Sequence, residues 1–491
     1  MSPLKFRNNI KEKIMTLNLS LPGNFRYQPQ ELVEIFGYDY LFGPVGEVEL
    51  ATIETLFDIG VISRADYNLL SSDIRTLVLN ISTSQVDEIE RKITKHDIRA
   101  WVKLAQGICD KTLGRWIHVP LTSYDPLDTA RILQFSRAYQ KVLRPKIGEV
   151  GGILVSLVEK YAHTLQIGRT HGQHALPITV GFWLANILHR LIYIAMKMEE
   201  CADQLVGKIS GAVGAHNAQV GLGIAEKCGE ISFEKRVLIK LGLKPAPISS
   251  QILPPEPLSY FLFSCTMLSG TLGQFGRDAR HLMRTEIAEI GEPFEVGQVG
   301  SSTMAHKRNP INFENLEGMW LRTKNEFNKV LETLSSDHQR DLVGSSLMRD
   351  FPIIVINLTQ QLNTLLKKNK AGQRFLERLT VNEAACQKNF TLSANVILAE
   401  PIYLALQMYG YLGDAHKLVN ERAMPISQAK SIPLIQAIEE IAEQDPEVES
   451  VLSKIPVEFR ELFNHPENYT GDAAVKALEI VQIAKDKLSR F

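Results

Sequence analysis

The chain is poor in several things, and each shortage excludes something. Its 491 residues include five cysteines, Cys109, Cys201, Cys228, Cys265 and Cys386, which are odd in number, far apart and never in a CxxC pair. That argues against a disulfide framework or a zinc site and fits a reducing compartment. Charge of one sign is not in excess: 54 Lys and Arg against 55 Asp and Glu leave a formal net charge of −1. There is then no electrostatic case for nucleic acid or an anionic membrane as the main partner. No window approaches the roughly 18 apolar residues of a membrane helix. The opening MSPLKFRNNIKEKIM lacks the apolar stretch of a signal peptide. A soluble cytoplasmic protein is expected. Strand signals are scarce too, and neither internal repeats nor low-complexity segments are visible.

What is present is helical periodicity, with apolar residues at three- and four-residue spacing. The pattern predicts long helices over Pro126–Thr164, Pro177–Val206, Ser259–Ala288, Asn312–Leu334 and Ile353–Lys368. The first is expected to be interrupted at Arg144-Pro145 and Gly151-Gly152, and the second to open on Pro177. Helices of this length exceed the ordinary mean of about 11–12 residues. They imply an all-α fold with a central bundle of long helices that buries apolar faces in an oligomer. Shorter patterns on either side give three regions: 1–120, 121–370 and 371–491.

Three polar loops punctuate the long helices. IHVPLTSYDPLDT holds His118, Thr122, Ser123 and Asp125; GRTHGQHALP holds Arg169, Thr170, His171 and Gln173. The third, GSSTMAHKRNPINFE, holds Ser301, Lys307, Asn309 and Glu314. Each has a purely structural role open to it. Thr122-Ser123 before Asp125-Pro126 reads as a helix start, and Asn309 as the cap of a helix opened by Pro310. Together they assemble groups that bind anions or move protons, at helix ends whose unpaired N–H groups suit anions.

The third loop resembles the signature of the fumarase/aspartase superfamily, GSSxMPxKxNP followed by a glutamate, and the other two match that superfamily's remaining active-site segments in order. Within it the chain resembles the adenylosuccinate lyase branch. RTHGQ, FRYQPQELVEIF with Arg26 and Tyr27, ITKHDIRAWV with His96, RTEIAEIGEPF and AEPIYLAL carry that likeness. So does HQRDLVGSSLMR, with Arg340, Ser345 and Arg349. The resemblance implies a three-domain fold, a homotetramer whose active sites are shared between subunits, a small nucleotide substrate, and no metal or organic cofactor.

It also implies a β-elimination that releases fumarate, with the following roles. Ser301 is the base, and Lys307 and Asn309 bind the carboxylate being charged. His171 is the general acid, oriented by His96, and Glu314 polarises a catalytic histidine. Thr122, Ser123, Thr170 and Gln173 hold the fumarate part, with His118 beside it. Gln251 contacts substrate, and Arg26, Tyr27, Arg340, Ser345 and Arg349 hold phosphate and ribose. Guanidinium forks grip phosphate bidentately, which suits a nucleotide. A serine hydroxyl serves as base only where a cation and oriented dipoles favour its alkoxide in a dry site.

Four positions depart from the pattern. Ala305 replaces proline, leaving the loop freer and costing about 1 kcal/mol more to order. Pro120 replaces a glycine of HxGxTS, so the His118 loop is expected to take another shape. PPEP after Gln251 replaces a charged triplet, and Gln339 replaces glutamate. Pro120 and PPEP keep open a lyase of the same superfamily with another partner, of argininosuccinate lyase or aspartase type. A helical scaffold without catalysis is the third reading; it would not need Ser301, Lys307, Asn309, His171 and Glu314.

Overall fold

The computed structural model of the chain describes residues 21–24, 26–294, 304 and 306–491, and within them it is dominated by helices. The only strands among the described residues are short and two-stranded in their pairing. The long helices are Tyr124–Ala138, Arg144–Lys160, Val180–Asp203, Glu256–Leu282, Ile311–Glu332 and Pro352–Leu366.

Two expectations about these helices need correction. The break expected at Arg144-Pro145 falls just before it, as a wide π turn over Tyr139–Leu143, while Gly151-Gly152 stays helical. Pro145 has no N–H to give to residue 141 and its ring crowds that carbonyl; widening the preceding turn relieves both. Pro177 does not open a helix. It lies in a strand, Gln173–Thr179, paired antiparallel with Leu165–Thr170, and the helix begins at Val180. Thr179 sets that start, its hydroxyl accepting from the N–H of Phe182 at 3.1 Å.

The chain divides into two compact units. The first comprises Met1–Gly148, Tyr193–Gly273 and Glu317–Thr364; the second comprises Glu149–Ile192, Gln274–Leu316 and Leu365–Phe491. The first packs Phe135 and Tyr139 edge-on against Phe261, with Trp101 fully buried. The second stacks Trp183 on Phe275, which meets Phe313 edge-on, and Phe313 in turn meets Phe375. A separate apolar cluster from Leu398 to Phe463 closes its C-terminal helices. Ring pairs of this geometry add about 0.5–1.5 kcal/mol each beyond the area they bury.

Candidate active site

In the first unit, a cavity opens beside the start of helix Tyr124–Ala138. Its walls include Tyr124, Asp128, Arg131, the Ile252–Pro255 turn, Arg340 and Ser345. Arg340 places its guanidinium 3.4 Å from the centre of the Tyr124 ring and donates to Gln251 Oε1 at 2.9 Å. The structure thus brings two residues picked from sequence, Arg340 and Ser345, into the wall of one largely apolar hollow, with a third, Gln251, bonded to Arg340. Asp128 underlies it. Its carboxylate accepts from the Leu253 N–H at 3.0 Å and from Arg131 at 2.9 Å. Burial pushes the Asp128 carboxyl up, with Arg131 pulling against it. One side chain therefore fixes the turn that carries Gln251. Arg349 is exposed on the following 3-10 turn, and Arg26 is exposed near the N-terminus. Tyr27 lies under the Arg322 guanidinium, 5.2 Å from its ring centre.

The Thr122-Ser123 turn is built around Asp125, which is almost fully buried. One carboxylate oxygen accepts from the Thr122 N–H; the other pairs with the buried Lys208 ammonium and accepts from the N–H groups of Ser210 and Gly211. That leaves the hydroxyls of Thr122 and Ser123 half-buried and not used as the helix cap, since Ser123 makes no side-chain cap bond. His118 sits with φ +70° just before a cis Val119-Pro120 bond. Its backbone N–H and ring Nδ1 both reach the buried Glu49 carboxylate, at 2.8 and 2.7 Å. His96 lies on the surface at the start of helix Asp97–Ile108, 3.1 Å from Asp97.

In the second unit, GRTHGQHALP is a β-hairpin. Thr170 pairs with Gln173, and His171 and Gly172 form the tip with φ of +53° and +76°. Positive φ at both central residues is the geometry of a tight hairpin turn whose twist matches its strands. Thr170, His171 and Gln173 are all exposed there. Close to the tip of the hairpin, Arg169 makes a two-point ion pair with the fully buried Glu289, at 2.6 and 3.1 Å. His174, one residue beyond Gln173, pairs its Nδ1 with Ser393 Oγ at 2.7 Å.

In the signature loop, Ser301 and Ala305 lie outside the described residues. Lys307 is exposed, with its N–H on the Met304 carbonyl, and Glu314 is exposed in the first turn of helix Ile311–Glu332. The N–H groups of Asn312 and Phe313 at that helix start donate to Glu292, at 2.7 and 2.9 Å, and Asn312 Nδ2 adds a third bond. Asn309, given the capping role from sequence, is half-buried.

A profile of the family described as "Lyase" matches residues 75–323, about half of the chain. An adenylosuccinate lyase from Pyrococcus horikoshii is 34% identical over 471 residues, spanning 94% of this chain and 96% of that protein. The chain belongs to the lyase family of the fumarase/aspartase superfamily.

A second relative, an N-acetyl-S-(2-succino)cysteine lyase from Dickeya dadantii, is 31% identical over 447 residues, 89% of this lyase and 91% of that one. The fold is also similar to that of 3-carboxy-cis,cis-muconate lactonizing enzyme from Pseudomonas putida. There the TM-score is 0.77 and the identity 23%, over 94% of this chain and 98% of the other.

Sequence reasoning did not single out Asp128, Glu289, Glu292 or Asn389. Each acts by holding a segment that the motifs name. Asp128, Glu289 and Glu292 all sit inside quoted motifs, so a carboxylate within a motif was the available signal. Asn389, over 200 residues from the hairpin, left none. Among the described residues of this lyase, no group of three or more His, Cys, Asp or Glu is placed to hold a metal ion, and no helix is long and apolar enough to cross a membrane.

Proposed function

We propose that this lyase cleaves adenylosuccinate to AMP and fumarate, and acts likewise on the ring-opened succinylaminoimidazole carboxamide ribotide. The observation that carries this is the cavity in which Arg340, braced by Gln251 and the Tyr124 face, stands beside Ser345. A guanidinium and a hydroxyl over an aromatic floor suit the phosphate and ribose of a nucleotide. The likeness to an adenylosuccinate lyase along nearly the whole chain supports the same reading.

The elimination removes a proton from the carbon beside a carboxylate and breaks the neighbouring C–N bond. The bonding pair leaves on nitrogen, which then takes a proton. The aci-carboxylate formed on the way carries two negative charges and needs aimed cations and N–H donors. Ser301 takes the proton, Lys307 and Asn309 hold the charged carboxylate, and His171 protonates the nitrogen, with His96 and Glu314 orienting and polarising the histidine. Thr122, Ser123, Thr170 and Gln173 hold the fumarate end, with His118 at its edge; Arg26, Tyr27 and Arg349 complete the phosphate end.

Residues from more than one subunit of a homotetramer build each site in this proposal. Exposed Tyr260, Phe263 and Met267, spaced along one face of helix Glu256–Leu282, and exposed Tyr193 supply apolar surface for such an assembly. The three regions 1–120, 121–370 and 371–491 then serve as flanking, central and C-terminal domains of each subunit, and the cytoplasm is the compartment.

The test is the ultraviolet absorbance of adenylosuccinate incubated with the protein, run beside Ser301→Ala and His171→Ala. Loss of signal with wild type and at least a hundredfold slower loss in both variants is expected. No change with wild type overturns the substrate; unchanged rates in the variants overturn the roles. A succinylated thiol is the second reading, favoured by the Dickeya relative and by Pro254 and Pro255 in the cavity wall. It predicts fumarate from N-acetyl-S-(2-succino)cysteine and none from adenylosuccinate.

A further inference from the structure

The His171 hairpin is held close to its tip by side chains from three separate segments. Glu289 is fully buried, and its two oxygens accept four side-chain hydrogen bonds. Arg169 supplies two, Gln166 one at 2.9 Å and Asn389 one at 2.8 Å. Asn389 also donates to the Ile287 carbonyl at 2.8 Å, and the Asn382 N–H to the Glu289 carbonyl. Ser393, just past helix Glu383–Thr391, takes a second grip through His174 on the opposite strand. The hairpin thus has a contact on each strand, both fixed by the 382–393 segment.

This network is more than a strand pair needs. The two strands already bond to each other, and a buried charge costs free energy unless fully paired. Here the carboxylate is satisfied by a bidentate guanidinium and two amides, an arrangement that fixes direction as well as distance. The Arg169–His174 pair lies next to the strand register shift between Ile167 and Arg169, where the backbone is least constrained by the ladder. Two residues further on, the chain turns at His171 in a left-handed conformation. An error in the angle at Arg169 is carried directly to the imidazole.

We propose that Arg169, Glu289 and Asn389 form a positioning cluster that sets the direction of the His171 imidazole for proton transfer, with the C-terminal segment as its anchor. The proposal rests on His171 being the general acid of the elimination. Displacing a catalytic group by about 1 Å costs on the order of 10²-fold in rate. Thr170 and Gln173 flank the same tip, so KM reports their displacement, while the part of the loss that passes through His171 falls on kcat.

The experiment is a double-mutant cycle on the full-length protein with adenylosuccinate as substrate. Arg169→Lys keeps the charge and loses the fork. It is expected to lower kcat by about 30- to 100-fold, with a smaller rise in KM through Thr170 and Gln173. In a His171→Ala background the same substitution should change the residual kcat by less than about twofold, because the group it positions is gone. An equal fold-loss in both backgrounds, or an unchanged kcat in the first, overturns the proposal. Asn389→Ala removes one of the four side-chain bonds to Glu289 together with the bond to the Ile287 carbonyl, and serves if Arg169→Lys does not fold. It should lower kcat about tenfold, a loss that vanishes without His171. Wild type without activity, or His171→Ala with full activity, counts against the proposed function instead and is read from the same four proteins.

Discussion

The Arg340 guanidinium lies 3.4 Å from the centre of the Tyr124 ring while its Nη1 donates to Gln251 Oε1 at 2.9 Å. Three segments far apart in sequence thereby fix one cation at a cavity wall. The guanidinium is planar, stacks on the ring and still presents donors to the hollow, which an ammonium cannot do.

Arg340→Lys is therefore expected to raise KM for adenylosuccinate about tenfold or more, with kcat within about threefold. Tyr124→Leu should raise KM by a smaller factor, since it removes the ring beneath the guanidinium and leaves the cation and its Gln251 hydrogen bond in place. Initial rates across substrate concentration measure both. A fall in kcat at constant KM would remove Arg340 from substrate binding.

The Asp125–Lys208 pair is buried on both sides and holds the Thr122-Ser123 turn. Lys208→Met leaves a buried carboxylate whose ionic partner is gone, and is expected to cost about 3–5 kcal/mol. Urea unfolding followed by circular dichroism would show it as a lower midpoint with an unchanged slope. A loss below about 1 kcal/mol would mean that the carboxylate is sustained by its three backbone donors.

Two glycines give opposite outcomes. A Cβ at Gly181 would sit 2.6 Å from the Ala162 Cα and 2.7 Å from the Tyr161 carbonyl oxygen, both backbone atoms that cannot step aside. Gly181→Ala should destabilise by about 3 kcal/mol. At Gly107, near the end of helix Asp97–Ile108, nothing lies within 4 Å. Gly107→Ala should stabilise by about 0.5–1 kcal/mol, because alanine loses less backbone freedom on folding. Thermal unfolding of the two variants against wild type tests the pair, and the same sign in both would refute the packing account.

His216 offers a pH test. Its hydrogen bond to Glu234, 3.2 Å away, holds the imidazolium above its ordinary range against a smaller opposing effect of burial. Because the folded value is raised, the stabilisation is complete below the unfolded value of about 6.5 and is lost as pH rises through the folded value. The ring is one-third exposed, which keeps the contribution under about 1 kcal/mol. Unfolding free energy measured from pH 5 to 9 should fall more in wild type than in His216→Asn. Parallel curves would remove the pair from the account.

Much of the fold was legible along the chain because a helix is closed by local hydrogen bonds. Spacing of apolar residues from Ser259 onward marks Glu256–Leu282 to within a few residues at the start, and Ile353–Lys368 marks Pro352–Leu366 as closely. The hairpin was not legible. Pro177 reads as a helix start by local rules, yet it faces Ile167 in a strand pair. Pairing depends on a partner segment whose distance and register no local pattern states.

The sequence by itself determined the helical class and the polar loops at helix ends. It also brought out the motif residues Arg340, Gln251, His171 and Lys307. The class and the loops follow from periodicity and composition, which are properties of neighbouring residues; the named residues follow from the resemblance of their motifs to those of a known family. Only the tertiary structure decided that Gln251 and Arg340 touch, that Glu49 holds His118, and that Glu289 and Asn389 hold the hairpin. Burial makes such pairings obligatory, since a carboxylate withdrawn from water must find donors wherever the fold brings them. The chain carries those donors far off, 69 residues away for Glu49 and His118, and 100 and 120 for Glu289 with Asn389 and Arg169, so their partnership exists only in three dimensions.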